Sequence, residues 1–158
     1  MRTTVKCLII ISLFAISFTG CKKGGGTTPD PIVPDSTKPT ITITKPTAGQ
    51  SFNVGNSIAF QATFSDNIQL KSYEIAISKV ITGGFILKNV LTPINWSYAK
   101  SATTLSASPK QQEITLSDIV VPLDINGNPV STGKYNFKVT CVDSSNNSTE
   151  TTLEININ

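Results

Sequence analysis

Ser57-Ile58-Ala59-Phe60-Gln61-Ala62-Thr63-Phe64-Ser65 alternates without a break. Ile58, Phe60, Ala62 and Phe64 fall on one side of an extended chain, and Ala59, Gln61, Thr63 and Ser65 on the other. A period of two with apolar side chains on one face is the pattern of a half-buried β-strand. Asp66-Asn67 closes the stretch with residues whose side chains bond their own backbone in turns. Upstream, residues 40–45 (TITITK) alternate through Ile41 and Ile43 before Pro46-Thr47-Ala48-Gly49 breaks the pattern. Downstream, residues 70–79 (LKSYEIAISK) place Tyr73, Ile75 and Ile77 on one face.

The same signal returns near the C-terminus. Residues 134–143 (KYNFKVTCVD) point Tyr135, Phe137, Val139 and Cys141 inward, and after Ser144-Ser145-Asn146-Asn147 a last strand points Thr151, Leu153, Ile155 and Ile157 inward. Residues 111–121 read as a strand through Ile114, Leu116, Ile119 and Val121, bent at Ser117-Asp118. The middle is less regular. Gly83-Gly84 marks a turn, residues 85–90 and 95–100 read as short strands, and residues 101–109 and 123–133 as loops.

About seven strands with turns at roughly ten-residue spacing, and no amphipathic helix among them, predict an all-β immunoglobulin-like sandwich of the cadherin or fibronectin III kind. Gly133-Lys134-Tyr135 resembles the tyrosine corner of such domains, whereas the Cys-Trp-Cys pattern of antibody domains is missing. Three cysteines, Cys7, Cys21 and Cys141, leave no pair for a disulfide once the first two are accounted for below, so stability must come from the core. Cys141 continues an inward series and reads as a small buried hydrophobe.

The N-terminus is of another kind. Arg2 and Lys6 precede an apolar run, LIIISLFAISFTG, that ends at Cys21. This is a secretory signal peptide over residues 1–20, too short to span a bilayer. Phe18-Thr19-Gly20-Cys21 resembles a lipobox, which makes Cys21 the lipid-attachment residue and a membrane the first partner. Residues 21–39 (CKKGGGTTPDPIVPDSTKP) form a Gly- and Pro-rich linker with a reach of up to ~50 Å, leaving residues 40–158 as one domain. Loss of Arg2 and Lys6 lowers the net charge from +3 to about +1, and no basic patch remains to suggest nucleic acid.

Several pieces in order resemble a family of uncharacterised Bacteroidota lipoproteins known as domain of unknown function 4625. They are Lys38-Pro39 with Ile41; Phe64-Ser65-Asp66-Asn67 with Leu70 and Ser72-Tyr73; Trp96-Ser97-Tyr98; and Gly133-Lys134-Tyr135-Asn136-Phe137 leading to Cys141-Val142-Asp143 and Asn147-Ser148. The resemblance implies a single immunoglobulin-like domain behind a lipid anchor in the outer membrane, with no established activity. Many family members carry a His- and Asp-containing segment after the strand equivalent to residues 73–77. Here that segment reads Ser78-Lys79-Val80-Ile81-Thr82-Gly83-Gly84, and the chain has no histidine, so that feature is not inherited. Surface-exported lipoproteins of that phylum tend to carry acidic residues soon after the lipidated cysteine. Lys22-Lys23-Gly24-Gly25-Gly26 has none, which favours the periplasmic face.

Two candidate sites follow. In an immunoglobulin-like sandwich the N-terminus and the turns after the second and penultimate strands share one end. That end gathers Asp35, Asp66, Asn67, Asp143, Asn146 and Asn147, an oxygen-rich set suited to calcium and equally the chemistry of plain turns. Phe85, Trp96 and Tyr98 would form an aromatic platform for a glycan or an envelope protein if exposed, and large core pieces if buried; burial is the expectation for Trp96 and Tyr98. Catalysis has little to stand on: without histidine or an exposed thiol the usual nucleophile–base pairs are missing, no catalytic residue is assigned, and no cofactor other than calcium is suggested. The sequence thus predicts a lipid-anchored, non-catalytic binding or structural accessory module, with glycan or protein recognition and a calcium-stabilised adhesion-like domain as its more specific forms.

Overall fold

The computed structural model describes residues 33–81, 83, 93–105 and 109–158. The signal peptide, Cys21, most of the linker and Phe85 lie outside the described residues. Among the described residues ten strands follow in chain order: β1 Thr40–Lys45, β2 Ser51–Phe52, β3 Ser57–Ser65, β4 Leu70–Lys79, β5 Ser97–Thr104, β6 Gln111–Val120, β7 Asp124–Ile125, β8 Asn128–Pro129, β9 Gly133–Asp143 and β10 Ser148–Ile157.

A three-stranded sheet β1-β3-β6 faces a five-stranded sheet β2-β10-β9-β4-β5, with β7-β8 a small separate hairpin. Among the described strands all pairings are antiparallel except β2 on β10, and an isolated bridge between Ile94 and Val130 is parallel too. The chain leaves β1 through the cis Lys45–Pro46 bond and joins the opposite sheet as β2. This is the immunoglobulin-like sandwich of the fibronectin III kind that the alternating stretches predict.

The core lies between the inner faces. Ile58, Phe60, Ala62 and Phe64 of β3 are wholly buried, as are Tyr135, Phe137, Val139 and Cys141 of β9. Two aromatic pairs bridge the sheets: Phe60 with Phe137 at 5.7 Å and Phe64 with Tyr73 at 5.4 Å between centroids. Each such side chain is worth about 2–3 kcal/mol of burial, and each pair adds roughly 0.5–1.5.

Bulges correct the register where alternation fails. In β6, Ile58 pairs with Ile119 but Phe60 with Leu116, so an extra residue at the expected bend, Ser117-Asp118, turns both apolar side chains toward the core. A matching shift in β4 lets Leu70 and Tyr73 both point inward.

Three sequence expectations change. Residues 101–104 belong to β5 rather than to a loop, extended by a register shift against β4. The loop at 123–133 contains the β7-β8 hairpin, whose Asn126 and Gly127 both take positive φ (55° and 77°), as a two-residue I′ turn demands. The compact unit runs from Pro34 to Asn158, so residues 34–39, expected as linker, pack with the sandwich. Pro39 is buried, and its carbonyl accepts a hydrogen bond from Thr149 Oγ1 at 2.6 Å.

The tyrosine corner is present. Tyr135, at the start of β9, donates its hydroxyl to the Ser131 carbonyl at 2.6 Å, four residues upstream. Trp96 packs on its ring at 6.0 Å, and the Lys79 ammonium lies 4.9 Å from the ring centroid.

Candidate functional site

At the end where the chain enters the sandwich, three segments meet: residues 34–39, the turn from β3 to β4, and the turn from β9 to β10. Each turn is built by an aspartate. Asp66 Oδ1 accepts the backbone N–H groups of Ile68 and Gln69 at 3.1 and 3.0 Å. Asp143 Oδ1 accepts the Asn147 N–H at 2.7 Å, and Asn146 between them takes a positive φ of 69°. Asp35 Oδ1 accepts the Thr37 N–H at 3.0 Å and the Asn67 side-chain amide at 3.1 Å. The bonds from Asp66 to Ile68 and from Asp35 to Thr37 are Asx turns, in which a short side chain replaces a backbone acceptor, and Asp143 closes its turn across four residues.

What remains after the turns are made defines the site. One carboxylate oxygen from each of Asp35, Asp66 and Asp143 lies within 4.8 Å of the others. Asp143 is wholly buried, and Asp35 and Asp66 are half-buried. Asp35 Oδ2 and Asp66 Oδ2 are shielded from solvent and have no hydrogen-bond partner. The ion pairs among the described residues, Lys134–Glu154 and Lys138–Glu150, involve none of the three. Shielded carboxylate oxygens without a donor cost free energy, and like charges this close repel. The hydrogen bonds from Thr37 and from Asn67 hold the Asp35 carboxyl below its ordinary pKa and so keep it charged.

A small hard cation suits this donor set. Three carboxylates on loops offer oxygen ligands of the kind calcium takes. Thiolate ligation is closed off, because burial, then the nearby charges of Asp66 and Asp143, push the Cys141 thiol up to about 11. Burial and that high pKa make Cys141 inert as a nucleophile.

Of the candidate calcium residues, Asp66 and Asp143 come together with Asp35. Asn67 serves as a donor to Asp35, and Asn146 is turned away from the carboxylates, its Oδ1 accepting the Lys71 ammonium at 2.7 Å. The organising amide belongs to Asn147. Its Nδ2 donates to Asp143 Oδ2 at 2.7 Å, to the Asp35 carbonyl at 3.1 Å and to the Thr37 carbonyl at 3.3 Å. Nothing in periodicity distinguishes Asn146 from Asn147; the positive φ at Asn146 decides which amide turns inward.

Of the aromatic platform, the described residues Trp96 and Tyr98 are not exposed. Trp96 is 6 % exposed and belongs to the core, between Tyr135 and Tyr98 at 6.0 and 6.5 Å. Tyr98 is half-buried, and burial raises its pKa. Phe85 lies outside the described residues.

A search of curated proteins finds no match to this chain. Among solved structures it is similar to the fibronectin(III)-like modules of CbhA from Clostridium thermocellum (18 % identity, TM-score 0.42, covering 75 % of this chain and 46 % of that one). It is also similar to the sporulation control protein Spo0M of Bacillus subtilis (10 %, TM-score 0.41, 76 % and 48 %). A third similar structure is a β-glucosidase from Listeria innocua in complex with glucose (12 %, TM-score 0.40, 74 % and 16 %). The chain spans less than half the length of each, and with such loose superpositions the fold assignment rests on the strand order itself. Residues 21–158 match the family described as Domain of unknown function (DUF4625), and the chain belongs to it.

Proposed function

We propose that this protein is a lipid-anchored, non-catalytic module of the cell envelope whose linker end is cross-tied by a calcium ion. The observation that carries this reading is the set of three carboxylates, Asp35, Asp66 and Asp143, with two shielded oxygens lacking any donor. A divalent cation between them would replace mutual repulsion by attraction and satisfy both orphaned oxygens. It would bind residues 34–39 to the two turns more firmly than the Asn147 amide does alone. The domain would then stand at a fixed angle to the segment through which the chain enters it, as an adhesion-like or accessory domain needs. The anchor at Cys21 is supported by the lipobox-like sequence before it.

Thermal unfolding of residues 34–158 in calcium and in chelator tests the reading. A site filled at a hundred times its dissociation constant adds ~2.7 kcal/mol, or roughly 10 °C in Tm for a unit of this size. Equal melting in both conditions, with calcium in the millimolar range, would leave the cluster as turn chemistry only.

A further inference from the structure

The end that holds the carboxylates also carries an unusual outer surface. Ile68 is 49 % exposed at the tip of the turn from β3 to β4. Asp66 fixes that tip by bonding the N–H groups of Ile68 and Gln69, so the side chain is presented rather than free to fold back. Around it stand three exposed lysines. Lys38 follows Thr37, whose carbonyl Asn147 holds; Lys71 is held on Asn146; and Lys110 offers its carbonyl to the Asp66 N–H at 2.7 Å. The ionisable groups of these segments sort by depth: Asp35, Asp66 and Asp143 lie inward, and the lysines face solvent. An approaching surface therefore meets positive charge and one apolar side chain first.

We infer that this end docks on the anionic phospholipid headgroups of the leaflet that carries the anchor, with Ile68 entering the interface and Lys38, Lys71 and Lys110 against the phosphates. The inference rests on the lipid-anchored reading above. Only twelve residues separate Cys21 from residue 34, a span of at most about 45 Å. Such a tether holds the end at an effective concentration in the millimolar range near the leaflet, so weak intrinsic binding is enough. Basic residues at an anionic surface each strengthen binding about fivefold. A cation among the carboxylates removes the opposing field and strengthens it further.

The test uses residues 34–158, which carry the complete core, in sedimentation with phosphatidylcholine vesicles, with and without phosphatidylglycerol at about a third of the lipid. The expected result is binding only where phosphatidylglycerol is present. Ile68→Asp abolishes it, and Lys38→Gln with Lys110→Gln together weakens it about 25-fold. Leu123→Asp, at a more exposed apolar residue (69 %) toward the opposite end of the sandwich, leaves it unchanged. Failure to sediment with anionic vesicles in calcium and in chelator overturns docking, as does equal loss in Ile68→Asp and Leu123→Asp. The mass of the full chain, compared with that of Cys21→Ser, reads the anchor separately. An acylated chain whose domain ignores phosphatidylglycerol overturns docking and leaves the anchor; binding by the domain of a chain without acylation does the reverse.

Discussion

Asp66→Asn separates a cation site from a hydrogen-bonded turn, because the two make opposite predictions for the same substitution. The asparagine Oδ1 can go on accepting the Ile68 and Gln69 N–H groups, so the turn survives. What changes is the other atom: the orphaned Oδ2 becomes an amide nitrogen that donates toward two carboxylates. At 4.8 Å two unit charges repel by about 3.5 kcal/mol at an effective dielectric of 20 and by about 0.9 in bulk water. Asp66 is half-buried, and it repels both Asp35 and Asp143, so its neutralisation should stabilise the cation-free protein by about 1–3 kcal/mol. That is roughly 4–11 °C in Tm. In calcium the variant has lost a ligand, and the calcium-dependent rise should shrink or vanish. The assay is thermal unfolding at neutral pH, followed by circular dichroism, with chelator and across a calcium titration. A variant that melts below the wild type in chelator by several degrees would refute the argument, since it would mean that the Asp66 charge stabilises the turn without any ion.

Two further substitutions probe the frame that holds the site. Tyr135→Phe keeps the ring against Trp96 but removes the hydroxyl bond to the Ser131 carbonyl, and should cost about 1–3 kcal/mol, seen as a lower denaturant midpoint with an unchanged m-value. Cys141→Val addresses pH. The wild-type thiol is held protonated to about 11 against an ordinary 9.0, so it contributes stability that is complete below pH 9 and lost as pH rises from 9 toward 11. The valine variant should decline less over that window, whatever its constant offset at pH 7, and parallel curves would contradict the assignment.

The strands were legible because one face of each is buried and the side-chain period of an extended chain is two. Residues 57–65 and 133–143 carry that pattern with almost no interruption, and both lie in the middle of their sheets. The extent of β5 was not legible. Ser101 to Thr104 are small and, apart from Ala102, polar on an edge strand, where hydrogen bonding to β4 defines the strand without demanding any apolar pattern. The hairpin at Asn126-Gly127 was read as part of a loop, because two-residue strands are too short to show alternation.

The sequence by itself determined the all-β class, the inward faces, the tyrosine corner and the oxygen-rich chemistry of the turns, because each of these depends on residue type and on spacing within one stretch of chain. The expected sandwich topology already gathered Asp35, Asp66 and Asp143 at one end, and only the tertiary structure decided that their carboxylate oxygens face one another. Asp35, Asp66 and Asp143 are far apart in the chain and are brought within 4.8 Å by the pairing of β3, β4, β9 and β10 around one end. It likewise decided that Asn147 rather than Asn146 faces inward, and that Trp96 is core rather than surface. An Asp and an Asn look alike in every turn. Whether their oxygens are spent on the backbone or left facing one another depends on contacts between distant segments, and no local pattern records those.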